Sequence, residues 1–130
     1  MKKAVILLLV VIGFSCAKSD DDTQGVINLR VNGCFDNFES GAKIFLDSIF
    51  NDSRCPTGFV CVWEGDAVAA FTLTKNNVVK SFNLHVNNKF QNDTIIEGIA
   101  IKLLQITPYP VAHQPIDPDD YRAEISVAEN

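Results

Sequence analysis

Apolar and polar residues alternate along most of this chain, and a backbone with that rhythm buries one continuous face only as a β-strand. Ile27, Leu29 and Val31 alternate with Asn28 and Arg30, and Ala67, Ala69, Phe71 and Leu73 share a face. Val78, Lys80, Phe82, Leu84 and Val86 form another row; Ile99, Ile101 and Leu103 repeat the pattern, and Tyr121, Ala123, Ile125 and Val127 give its cleanest case. Turn-forming residues separate the rows: Asn32-Gly33, Asn76-Asn77, Asn87-Asn88, Gln91-Asn92-Asp93 and Glu97-Gly98. The segment Ala42 to Phe50 fits either a strand or a short helix capped by Ser40; its β-branched and aromatic content selects the strand. The expectation is an all-β domain of about seven strands, a small antiparallel sandwich or barrel. Residues 107–120 interrupt it. Prolines at 108, 110, 115 and 118 cannot donate to a central ladder, so this segment is a stiffened loop before the last strand, its acidic end (Asp117, Asp119, Asp120) exposed.

The N-terminus reads as an address. Lys2 and Lys3 precede nine unbroken apolar residues, Ala4 to Ile12, and small residues lead to Cys16. The run is too short for an ordinary membrane span and has the layout of a signal peptide over residues 1–15. Ser15-Cys16 resembles the lipobox of bacterial lipoproteins, which implies a lipid on Cys16. Residues 16–24 are polar and acidic, with nothing to bury, and read as a tether. Lys18 followed by Asp20-Asp21-Asp22 resembles the export signal of Bacteroidota-type surface lipoproteins, which implies an outer-membrane protein facing outward. A plain spacer would leave it facing the periplasm. Residues 25–130 then form one β domain, without repeats or a second unit.

The chain holds 11 basic and 16 acidic residues. Removal of residues 1–15 takes two lysines and no acid, leaving nine bases against sixteen acids and a net charge of −7. No basic patch remains, so nucleic acid is not an expected partner. An acidic protein is repelled by anionic head groups, so membrane attachment is expected through the N-terminal lipid alone.

Three cysteines remain, Cys34, Cys55 and Cys61, in a compartment that favours disulfides. Pro56 and Gly58 let the chain double back between Cys55 and Cys61, which makes these two the natural pair. Cys34 is then a buried thiol or a link to another chain, or takes one of the other two; spacing alone does not fix the connectivity. Closing the 55–61 loop stabilises the fold by about 2 kcal/mol in the chain-entropy model. A redox centre usually spaces its cysteines two residues apart at a helix start, which is not the context here. No metal and no cofactor is expected: His85 and His113 stand at no ligand spacing from a cysteine, and the 117–120 acids lack the glycine and distal glutamate of an EF-hand.

The stretch Asp52-Ser53-Arg54-Cys55-Pro56, with Gly58, Cys61, Trp63 and Gly65 following, resembles a motif of small, uncharacterised exported bacterial proteins. There a strand ends in D-S-R-C-P, a short loop follows, then C-x-W-x-G and a further strand. Leu104 to Pro110 and the final strand match the rest of the pattern, so the resemblance covers most of residues 40–128. It carries no activity. Cys34 lies outside the motif, which supports the Cys55–Cys61 pairing. Asp93-Thr94-Ile95, in an expected turn, resembles the acceptor tripeptide of Bacteroidota O-glycosylation.

Two readings of the motif follow. In the first it is a structural corner: Asp52 and Arg54 pair or bond the loop backbone, the disulfide ties the turn, Trp63 packs over it, and Gly65 admits a close backbone. In the second it is a recognition loop, with Phe59 and Glu64 as contacts. The corner is the preferred reading. No nucleophile elbow or general acid–base pair stands out, so catalysis is not expected. The expected function is that of a lipid-anchored envelope protein acting as a binding or structural module, with an envelope or secreted protein as a possible partner. The alternatives are an inhibitor of a secreted hydrolase, acting through the 107–118 loop with Tyr109 and His113 as its contacts, and a carrier of a small molecule or metal.

Overall fold

The computed structural model describes residues 22, 23 and 25–129; the signal-peptide segment, Cys16 and most of the expected tether lie outside them. Among the described residues there are nine strands and no α-helix. The strands are β1 (Asp22–Thr23), β2 (Val26–Arg30), β3 (Cys34–Phe35), β4 (Lys43–Phe50), β5 (Val68–Lys75), β6 (Val78–His85), β7 (Asp93–Ile96), β8 (Ile99–Thr107) and β9 (Arg122–Glu129). They form two antiparallel sheets ordered β1-β2-β9-β8-β7 and β3-β4-β5-β6, a β-sandwich. The alternation predicted this class. Asp22–Thr23, placed in the tether on sequence, pairs its backbone with Ile27 and Val26.

The core is the inward row of each sheet. Ile27, Leu29, Ile99, Ile101, Leu103, Ala123 and Ile125 come from one, and Ile44, Leu46, Ala69, Phe71, Leu73 and Leu84 from the other; all are buried. Phe71 and Phe82 stack within it with ring centroids 5.4 Å apart. The row beginning at Val78 joins this core only at its far end. Lys80 stands opposite Leu73 on the core face of β6, yet it and Val78 are exposed, because β6 is the last strand of its sheet.

Two bulges break the alternation. The β4–β5 register shifts between Leu46 and Ser48, and the β8–β9 register between Leu103 and Gln105. Each inserts one residue, Asp47 or Leu104, and resets which residues face inward. After Leu103 the next buried residue is therefore Ile106, three positions on. The first bulge explains why residues 42–50 read ambiguously: their inward positions, 44, 46 and 49, no longer follow period two.

Asn76-Asn77 and Glu97-Gly98 both have positive φ at each residue, the geometry of two-residue hairpin turns. The 91–93 turn expected from sequence ends earlier, because Asp93 already pairs with Lys102. Asp93-Thr94-Ile95 thus lies on edge strand β7, not in a turn.

The register sorts the connections between two poles. Val26 enters opposite Ser126, at the same end as the 76–77 and 97–98 turns, and the Lys75 ammonium donates to the Glu97 carbonyl there (2.8 Å). Residues 51–67, 86–92 and 108–121 all lie at the other end, beyond Phe50, Val68, His85, Thr107 and Arg122. An eight-residue strand spans about 26 Å, which sets the separation of the poles. Replacing Leu73 by alanine should lower the unfolding free energy by about 2–5 kcal/mol in urea titration. Val79→Thr, on the exposed part of β6, should change it by less than about 0.5 kcal/mol.

Candidate functional site

At the loop pole the chain leaves β4 at Phe50 and buries an arginine. Arg54 is only 7 % exposed, and a buried guanidinium must fill its donors because it stays protonated. Its Nε donates to Asp52 Oδ1 at 2.8 Å and its Nη2 to Asp52 Oδ2 at 2.7 Å, a two-pronged carboxylate pair. Its Nη1 donates to the Ile106 carbonyl and its Nη2 also to the Pro108 carbonyl (3.1 Å). The guanidinium lies 5.2 Å from the ring centre of Tyr109, within cation–π range. The Tyr121 hydroxyl closes the knot by donating to Asp52 Oδ2 at 2.9 Å. One arginine thus joins the end of β4, the end of β8 and the start of β9.

This environment acts on both acids. Burial by itself would raise the Asp52 pKa, but the Arg54 and Tyr121 hydrogen bonds and the Arg54 charge outweigh it and hold the carboxyl below its ordinary 3.8. Burial, then the Asp52 hydrogen bond and charge, push Tyr121 up from 10.0 to about 12.

A second knot lies alongside. Ser53 donates its N–H to the Asp66 carbonyl (2.7 Å), and the Asp66 N–H returns a bond to Ser53 Oγ (3.1 Å). The Asp66 carboxylate takes His85 Nδ1 on one oxygen and the Asn87 N–H on the other (3.0 Å), while Asn87 Nδ2 donates to the Gly65 carbonyl (3.2 Å). Gly65 is required here. A Cβ on it would sit 1.8 Å from the Ser53 carbonyl oxygen.

The Cys55–Cys61 disulfide is formed, with Cα atoms 5.9 Å apart. Cys34 is buried at the start of β3 and is not a free thiol, which overturns the buried-thiol option. The stapled loop leans on the proline-rich loop. The Thr57 N–H donates to the Pro110 carbonyl (2.9 Å), the Ala112 N–H to the Thr57 carbonyl (3.1 Å), and the Phe59 ring meets His113 edge-on at 5.7 Å.

Beyond this brace the loop projects. Val60 is fully exposed, Val62 is 94 % and Trp63 66 % exposed, and Phe59, Tyr109 and Val111 are exposed beside them. Trp63 therefore departs from the expected packing over the turn; Arg54 beneath Tyr109 fills the base of the pole instead. Glu64 pairs with Lys89 at 3.3 Å, both well exposed, an interaction worth little.

The structure brings together Asp52, Arg54, Phe59, Trp63, Glu64, Tyr109 and His113, separated by up to 61 positions in sequence, at this one pole. It divides them, with Asp52 and Arg54 inside and the rest on the surface. The sequence reading missed Tyr121, Ser53, Asp66, His85 and Asn87 as partners, and Val60 and Val62 as displayed residues. The spacing of Asp52 and Arg54 was a signal; nothing local pointed to Tyr121 or Asp66.

A hollow of about 460 Å³ opens beside the knot between Asp52, Pro56, Val111, His113 and Tyr121. Its carboxylate is already engaged by Arg54 and Tyr121, which leaves little to orient a ligand. No group of three or more His, Cys, Asp or Glu among the described residues is placed to hold a metal ion.

Fold and site together define a disulfide-stapled antiparallel β-sandwich with a braced two-loop pole. No protein-family model, curated protein or solved structure matches the chain.

Arg54→Met should destabilise the domain by about 3 kcal/mol, because it strands the Asp52 carboxylate in a mostly buried site; equilibrium unfolding measures this. The Asp52 contribution is complete above its unfolded pKa near 3.8 and is lost as pH falls through the lower folded value. Stability should therefore decline below about pH 4, and Asp52→Asn should flatten that decline. The Tyr121 contribution has the opposite sign: it is present below pH 10 and is lost as pH rises towards about 12, an effect that Tyr121→Phe should remove.

Proposed function

We propose that this protein is a lipid-anchored envelope protein whose β-sandwich acts as a binding module, engaging a protein partner through the loop pole. The observation that carries the proposal is the displayed apolar loop. Val60, Val62 and Trp63 stand exposed together above a base held by the disulfide and the Arg54 knot. The leader layout, the Ser15-Cys16 junction and the acidic tether support the anchor; the displayed apolar loop supports binding.

The corner and the recognition loop are compatible on this reading. Arg54, Asp52 and Gly65 build the base, and residues 59–63 are what the base displays. A monomeric surface seldom leaves adjacent large apolar side chains uncovered without an interaction to serve. Membership of the exported family with the D-S-R-C-P motif, and outward display on the outer membrane, belong to the same proposal.

Chemical cross-linking in intact cells, followed by co-purification and mass spectrometry, tests it. The expected result is one stoichiometric partner, and loss of the protein from the membrane fraction when Cys16→Ala removes the anchor. Recovery of the protein alone, or membrane association that survives Cys16→Ala, would overturn it.

A further inference from the structure

We infer that the loop pole inserts into an apolar cleft of its protein partner, with residues 59–63 as the inserted edge and the carboxylates around it meeting basic side chains at the cleft's rim. The inference rests on the binding reading and specifies the surface that reading requires.

Shape argues first. Val60 and Val62 are almost wholly free of neighbours, so on a flat surface they would touch only by their tips. A projecting edge buries appreciable apolar area only between walls. Rigidity argues second. The disulfide, the Thr57 bonds to Pro110 and Ala112, and the Phe59–His113 contact fix the loop before any encounter, which lowers the ordering cost of insertion.

Charge argues third. From Cys55 to Trp63 the loop carries no charged residue. Around it the sign is negative: Asp117 and Asp120 border a hollow with Tyr109 and Val111. Asp119 is exposed beside them. Of the bases at this pole, Arg54 is consumed in the knot and Lys89 in its pair with Glu64. An apolar edge inside an acidic collar complements an apolar floor with a basic rim.

A lipid surface is the competing occupant, since a tryptophan and valines suit a membrane interface. The same carboxylates would be pressed against anionic head groups, so the protein cleft is the better fit.

The test places a photo-reactive benzoylphenylalanine at position 60, or at position 79 on edge strand β6, in the full-length protein in intact cells. The adduct's partner is then purified, and its affinity for the wild-type, Val60→Asp and Asp117→Asn/Asp119→Asn/Asp120→Asn proteins is measured at 50 and 300 mM NaCl. Both positions are exposed, so circular dichroism should show an unchanged fold. The expected result is an adduct at 60 and none at 79, at least about a 30-fold loss of affinity with Val60→Asp, and binding that weakens with salt less steeply in the triple variant. No adduct at either position would overturn the binding reading, and this inference with it. An adduct whose partner binds Val60→Asp normally, or binds independently of salt, would overturn the cleft alone. A blue shift of Trp63 emission on phosphatidylglycerol–phosphatidylethanolamine vesicles, absent with Val60→Asp, would assign the edge to lipid and overturn the cleft.

Discussion

The loop pole depends on one buried cation. Arg54 cannot shed its proton, so its burial is tolerable only if the surrounding chain supplies acceptors in the right places. Asp52 supplies two oxygens from two residues away, which is local and cheap. The carbonyls of Ile106 and Pro108 come from the end of β8, more than fifty residues on, and they fix where the proline-rich loop begins. Tyr121 then bonds the same carboxylate at the point where that loop returns to β9. Both ends of residues 107–121 are thus held against the segment that leads into the disulfide.

That arrangement separates two demands that usually conflict. A displayed apolar surface gives nothing to folding and invites misassociation, whereas a rigid one is useful for recognition. Here the polar network and the Gly65–Ser53 backbone contact provide the rigidity from below. The projecting side chains of Val60, Val62 and Trp63 contribute little to the core, so they are free to vary without unfolding the domain. The base and the edge can therefore change independently: the tip can vary without a new fold.

The sandwich was legible because most strands keep period two, and because Asn-Asn and Glu-Gly sit where positive φ is needed. It was less legible where the bulges at Asp47 and Leu104 shift the phase, since an inserted residue erases the alternation locally. β7 was missed because a four-residue edge strand with two of its residues exposed carries almost no periodic signal. Within the site, Asp52 and Arg54 were recognisable because their spacing puts them within reach of each other. Tyr121 and Asp66 were not, because their partners depend on which strands lie side by side. Trp63 misled for another reason: a large aromatic is usually buried, and only the tertiary structure reveals that an arginine under a tyrosine already closes that end.

The lysine on the inner face of β6 has a consequence of a different kind. β-Sandwiches at high local concentration meet edge against edge. An eight-residue outermost strand with bare backbone donors and acceptors would be a template for fusing neighbouring sheets into fibrils. Docking another strand against β6 would trap the Lys80 ammonium between apolar layers, beside Leu73, where it has no water. The charge that costs this strand half its share of the core thus keeps crowded copies as separate molecules.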